Sequence, residues 1–330
     1  MARATGGWRV PEEARPRPED HDYDLDAALG AVVALRARVP EDAYTAETLG
    51  TERGGSAVLI GNDGLLLTIG YLITEAEEVW LTAADGRAVP GHAVGFDGAS
   101  GLGLVQALGR LDARPLRLGD TAARARVGER VVVAAGPGSR RSAVAARVVA
   151  RQEFAGYWEY LLDEAIFTAP AHPHWGGAAV IGADGALVGV GSLQLGHDAG
   201  DGRVAALNMA VPADRIGPVM GDLLALGRPS GPARPWLGLY ATEAEGGRGV
   251  AVAGLAGDGP ARRAGLRAGD VVLAVAGRPV ADLAGLFRAM WSLGEAGVDV
   301  PLTVEREGDV FDVAVASADR RRFLKAPLLH

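Results

Sequence analysis

The chain has 330 residues, of which 48% are hydrophobic and 22% charged. That balance excludes a disordered or fibrous polypeptide, and the length leaves room for two or three domains. A net charge of −8 sets up a mean field that repels a phosphate backbone, so no nucleic-acid partner is expected; with no cysteine, disulfides, thiol nucleophiles and cysteine zinc sites are all excluded.

In chain order, the first 22 residues mix Pro, Arg and Glu without periodicity, and residues 1–24 read as a flexible tail. No secretory apolar core is found, and nowhere do about 18 consecutive apolar residues occur, which predicts a cytoplasmic protein with no membrane partner. The run from Leu25 to Val39 can start as a helix and continue as a strand before Pro40 ends it. Between Ser56 and Ala210, short runs such as SAVLI, LLLTI, VVVAAG, YLLDEAIF and ALVGVG alternate with turns such as Gly61-Asn62-Asp63-Gly64 and Ala183-Asp184-Gly185. This is the pattern of an all-β sandwich or barrel. Helical spacing returns after Pro212 and stops at Gly227. The segment RPSGPAR, 228–234, has linker composition. Beyond it, strand-like runs flank a helical stretch from Asp282 to Leu293, making a small α+β unit over 235–318 with a tail at 319–330.

Within that unit, GPARRAGLRAGDVVLAVAGRPVADLAGLFRAM resembles a PDZ domain of the HtrA type almost position by position. Upstream, GSAVLIGNDGLLLT, DGRAVPGHAVGFDGASGLGLVQA and APAHPHWGGAAVIGADGALVGV are similar, in order and spacing, to segments of the trypsin-like domain of the same family. The chain thus resembles HtrA/Deg serine proteases. The resemblance implies a mainly β protein: a chymotrypsin-like double six-stranded β-barrel domain over 25–227, followed by a small α+β PDZ domain. It implies that Trp236, Leu237, Gly238 and Leu239 form the loop whose amides receive a peptide C-terminus. An extended ligand would then add to the sheet edge at Leu239 to Ala241. Leu286 and Met290, four apart on the helix, are candidates for the pocket wall and equally readable as core.

Acyl transfer on this fold needs a serine, a histidine to take its proton, an aspartate to orient that histidine, and amides for the oxyanion. By the resemblance, the histidine position holds Tyr71, the aspartate position Gly101 and the nucleophile position Gly176, while His174 replaces a glycine of the oxyanion hole. A phenol is a poor base at neutral pH, and glycine supplies no side chain. No catalytic residue is therefore assigned. A triad rebuilt from Ser56, Ser100, Ser142 or Ser192 with His92, His172, His174 or His197 is disfavoured, because none of these serines sits on the active-site turn. His172 and His174 are weak metal candidates, with His92 or Asp97 as a third ligand, weighed against plain exposed loop histidines. Trp175 is expected to fill the volume left by the triad. The arginines at 140, 141 and 320–322 are expected to be solvated.

These residues imply a pseudoprotease with no cofactor, acting as scaffold or adaptor for protein C-termini or extended peptides. The assembly implied is a homotrimer or a subunit of a hetero-complex. The alternatives are a hydrolase with an altered site and a metal-binding pseudoprotease.

Overall fold

The computed structural model describes residues 10–198 and 204–325. Among them, residues 10–152 and 164–229 form one compact unit, and residues 153–163 with 230–325 form a second.

In the first unit, β1 (Val32–Arg38), β2 (Glu52–Leu59), β3 (Leu65–Ile69), β4 (Glu78–Thr82), β5 (Ala88–Phe96) and β6 (Leu102–Ala107) close into a barrel in the order β1-β2-β3-β6-β5-β4. Leu35, Leu66, Leu67, Leu81, Leu102 and Leu104 on its strands are buried. A second barrel closes as β10-β11-β12-β9-β8-β7 from β7 (Arg130–Ala134), β8 (Ala143–Gly156), β9 (Tyr160–Ala169), β10 (Ala179–Ile181), β11 (Leu187–Asp198) and β12 (Val204–Pro212). Closure pairs every strand on both sides, which suits sequences of short apolar runs with frequent turns. The expected helix-then-strand at the start is present as helix Leu25–Gly30, whose first turn is capped by the Asp24 carboxylate on the Ala27 amide, followed by β1. Helix Gly217–Leu226 ends at Gly227 in the left-handed conformation, φ 68°.

The second unit carries a sheet ordered β13-β14-β15-β17-β18, made of β13 (Leu239–Glu243), β14 (Val250–Leu255), β15 (Val271–Val275), β17 (Asp299–Arg306) and β18 (Asp309–Ala316), with β16 (Arg278–Pro279) paired to β15. Helix Leu283–Trp291 is capped by the Asp282 carboxylate on the Gly285 amide and buries Leu286, Phe287 and Met290. β13 lies at the edge of the sheet.

One expectation about the terminal and connecting segments needs correction, and two others gain a packing contact. Val10, inside the expected flexible tail, is fully buried in the core of the second barrel with Val131, Val133 and Ile166. Its carbonyl accepts from Arg15 Nε at 2.9 Å. One branched apolar side chain in a core is worth about 1.5–3 kcal/mol, enough to hold a segment whose average composition is polar. Within the expected linker, the Arg234 guanidinium stacks 4.5 Å from the Trp291 ring centroid. In the expected C-terminal tail, Asp319 caps a short turn Arg320–Phe323, and the Phe323 ring sits 4.9 Å from that of Trp236. Trp8, the remainder of residues 1–9 and residues 326–330 lie outside the described residues.

Candidate functional site

β3 runs directly into a 3-10 turn, Gly70–Leu72, which carries Tyr71. Arg53 on β2 holds this turn by donating to the carbonyls of Tyr71 and Thr74, each at 2.8 Å, and to Thr45 Oγ1 at 2.7 Å. Behind it the Glu75 carboxylate accepts from the amides of Tyr44 and Thr45 at 3.0 and 2.7 Å. Burial lowers the Arg53 guanidinium to about 10, with nearby Glu75 pulling the other way. The loop before β6 is shaped by Asp97, whose carboxylate accepts from the Ala99 and Ser100 amides. That loop presents the Gly101 carbonyl to the Gly70 amide at 2.7 Å.

The structure therefore brings together the three positions that the resemblance marked for a triad. Gly101 is bonded to the residue preceding Tyr71. The Tyr71 hydroxyl donates to the Ser192 carbonyl at 2.9 Å, and a Cβ added at Gly176 would lie 2.9 Å from that hydroxyl. Tyr71 thus lies over the nucleophile position, and a serine there would have to displace it. Burial pushes the phenol further above its ordinary pKa, opposed by a side-chain hydrogen bond with Trp175, so even less of it than of free tyrosine is the phenolate that could take a proton at neutral pH.

The turn 172–178 is organised by His172, which is fully buried. Its amide donates to Asn208 Oδ1 at 2.6 Å and its carbonyl accepts from Asn208 Nδ2 at 3.0 Å. Its ring lies with Nε2 3.1 Å from the Ser142 carbonyl and Nδ1 accepting the His174 amide at 3.0 Å. These contacts fix the tautomer: Nε2 carries the proton and Nδ1 is the acceptor. Burial lowers the imidazole to about 4; the Ser142 contact raises it, while the neighbouring His174 charge lowers it. The reading of both histidines as exposed loop residues is corrected for His172, because a satisfied imidazole can be buried neutral at little cost. The metal reading loses its basis too, since Nδ1 has committed its lone pair to the His174 amide. The same bond turns the 174 amide, one of the two oxyanion donors implied by the resemblance, toward a ring and away from any substrate oxygen.

Of the four serines weighed for a rebuilt triad, Ser56, Ser100 and Ser192 are buried. Ser56 Oγ accepts the Gly136 amide at 2.9 Å, and Ser142 Oγ donates to the Pro137 carbonyl at 2.9 Å. The side chain of His197 lies outside the described residues.

In the second unit, Trp236 exchanges backbone hydrogen bonds with Ala318 at 3.1 and 3.0 Å, pinning the start of the loop. Gly238 adopts φ 79°, a conformation that an L side chain resists, and a Cβ there would lie 3.2 Å from both Ala256 and the Trp236 ring. Both constraints make the loop turn so that the Leu237 and Leu239 amides converge. They converge on a carboxylate. Glu159 Oε1 accepts from Leu239 at 2.7 Å and from Leu237 at 3.2 Å, and Oε2 accepts from Leu237 at 3.1 Å. Enclosure pushes the Glu159 carboxyl up to about 7; the Leu239, Leu237 and Gly238 amides and, last, the Arg320 charge pull it back down. Leu286 and Met290 are fully buried in one cluster with Leu161, Leu237 and Leu239. Both side chains are thus core residues, and Leu161 of the 153–163 segment packs into the same cluster beside the loop.

Glu159 was not foreseen from the sequence. The available signal was compositional: Tyr157, Trp158 and Tyr160 flank it in a chain with only six each of Trp, Tyr and Phe. Arg320, expected in solvent, has its Nε buried.

Comparison with known proteins matches residues 55–190 to a trypsin-like peptidase domain and residues 235–316 to a PDZ domain. Among relatives, the "Probable periplasmic serine endoprotease DegP-like" of Pseudomonas fulva is 27% identical over 275 residues, covering 79% of this chain and 55% of its own length. "Serine protease PepD" of Mycobacterium tuberculosis is 28% identical over 298 residues, covering 84% and 63%. The chain thus spans between half and two thirds of the length of these relatives. Among solved structures, "HtrA-type protease AlgW with decapeptide" shares the fold at a TM-score of 0.52 and 21% identity, with 92% of this chain and 98% of that one aligned. A serine endoprotease from Yersinia pestis does so at 0.52, with 90% and 98% aligned. With a trypsin-like peptidase domain of two six-stranded barrels followed by a PDZ domain, this chain belongs to the HtrA-type family.

Proposed function

We propose that this HtrA-type chain is catalytically silent and acts as a scaffold or adaptor that binds protein C-termini or extended peptides through its PDZ domain. The observation that carries the reading is the contrast in hydrogen bonding at the two places where a ligand oxygen would be received. At residue 174 the amide is spent on the His172 ring, and at 176 there is no hydroxyl and no room beneath Tyr71. At Leu237 and Leu239 the amides are arranged to hold a carboxylate. Solved relatives of the same fold include complexes described as holding a decapeptide or a tripeptide.

The relatives' own names are those of proteases, so the reading is tested on both sides. Expected outcomes are no cleavage of unfolded casein by the purified protein, and capture of peptides with a free C-terminus on an array. Capture should fall at least ten-fold in Gly238→Val, whose side chain is incompatible with the loop conformation. Casein cleavage that disappears on substituting a residue in 172–176 would overturn the silent-cleft part; capture unchanged in Gly238→Val would overturn the groove part.

A further inference from the structure

We propose that the tip of the β8–β9 hairpin is an internal ligand of the PDZ groove, with Glu159 standing in for a peptide's terminal carboxylate, so that a partner must displace the tip to bind. This rests on the reading of the groove as a receptor for carboxylate-ended peptides, and it adds the regulation of that site.

The tip reproduces the two features by which an extended peptide is held at a sheet edge. Its carboxylate takes both loop amides, Leu237 and Leu239. Two residues earlier, the Tyr157 carbonyl accepts the Ala241 amide at 2.9 Å, two residues beyond Leu239. Two residues is the repeat of strand pairing, and Ala241 lies on β13, the edge strand, where an external strand would add. The aromatic side chains follow the same line, with the Tyr157 and Tyr240 rings 6.0 Å apart. Leu161 anchors the tip in the same apolar core as Leu237 and Leu239, and Arg288 pairs with Glu153 and Asp163 on its two arms.

The geometry also shows that this contact is constrained. Glu159 holds φ 59°, a left-handed conformation that a non-glycine residue adopts only where its surroundings enforce it. A hairpin tip formed only to turn the chain would place glycine or asparagine there. The carboxylate is the one part of a glutamate that can satisfy converging amides, and Arg320 is the cation nearby. A ligand entering this nest must carry an oxygen pair that can accept from both amides, which a peptide C-terminus supplies.

The test uses the full chain on an array of random decapeptides with free C-termini and a matched array with C-terminal amides. Glu159→Ala should capture free-C-terminus peptides on the order of ten-fold more tightly than the parent, Glu159→Gln by a smaller factor, and neither should gain on the amidated array. Hydrogen exchange at Leu237, Leu239 and Ala241 should accelerate in Glu159→Ala while amides of β15 and β17 stay protected, which reports the fold of the variant independently. If parent and both variants capture the same peptides equally, the tip is not a competitor and this proposal fails while the peptide-binding reading stands. If no variant captures any free-C-terminus peptide, the peptide-binding reading fails and takes this one with it.

Discussion

The turn at 172–178 and the loop at 236–239 are two versions of one device, a bend that aims backbone amides at an incoming oxygen. In the first, a histidine ring from the same turn has taken the His174 amide and a phenol lies over the nucleophile position. In the second, the amides still converge, on a carboxylate delivered by a distant part of the chain. A receiving site built from backbone survives as long as the bend does, whereas a catalytic constellation fails with the side chains that complete it.

The comparison can be broken most sharply at the cleft. Restoring a triad with Tyr71→His, Gly101→Asp and Gly176→Ser is expected to leave casein cleavage undetectable. Adding His174→Gly should raise cleavage by about 10²–10³, the usual worth of one oxyanion donor. Equal rates with and without His174→Gly would show that the 174 amide is not what closes the site. Next in size is His172→Ala. It removes a fully buried ring and its two contacts, and a loss of about 2–4 kcal/mol is expected in urea unfolding.

The two regions also respond to pH in opposite senses. His172 is lowered to about 4 from an ordinary 6.5, so its contribution is complete above 6.5 and is lost as pH falls toward 4, where the unfolded state alone takes up a proton. Glu159 is raised to about 7 from an ordinary 4.5, so docking of the tip is favoured below 4.5 and weakens as pH rises through 7. Arg320 faces the carboxylate and favours its charged form, and Glu153 and Asp163 on the arms are held by Arg288. Trp158 fluorescence should therefore show the tip loosening between pH 5 and 8 in the parent and not in Glu159→Gln; a pH-independent signal in both would contradict the assignment. The smallest expected effect is that of Tyr71→Phe, which loses the hydroxyl's hydrogen bonds to the Ser192 carbonyl and with Trp175 and about 1–2 kcal/mol in thermal unfolding, with no change in peptide capture.

Much of this was legible in the linear sequence. The short apolar runs between Gly and Asp turns dictate strands, and Asp282 followed by Leu283, Leu286 and Met290 dictates a capped helix, because both signals are local. The absence of a histidine, an aspartate and a serine at 71, 101 and 176 is likewise a fact of the sequence. What composition could not give is which polar residues are spent inside the fold. His172 and Arg320 were expected in solvent because their neighbours in sequence are polar or charged, yet His172 is satisfied by Asn208 and Ser142, 36 and 30 residues away. Glu159 lies 78 residues from Leu237 and 80 from Leu239, so nothing local marks it as a ligand. The sequence by itself determined the two domains and their order, both encoded in short-range pattern. Only the tertiary structure decided that the Tyr71 hydroxyl lies over Gly176, that the His172 ring takes the His174 amide and that the Leu237 and Leu239 amides meet the Glu159 carboxylate, because burial and hydrogen bonding are settled between residues that the chain keeps far apart.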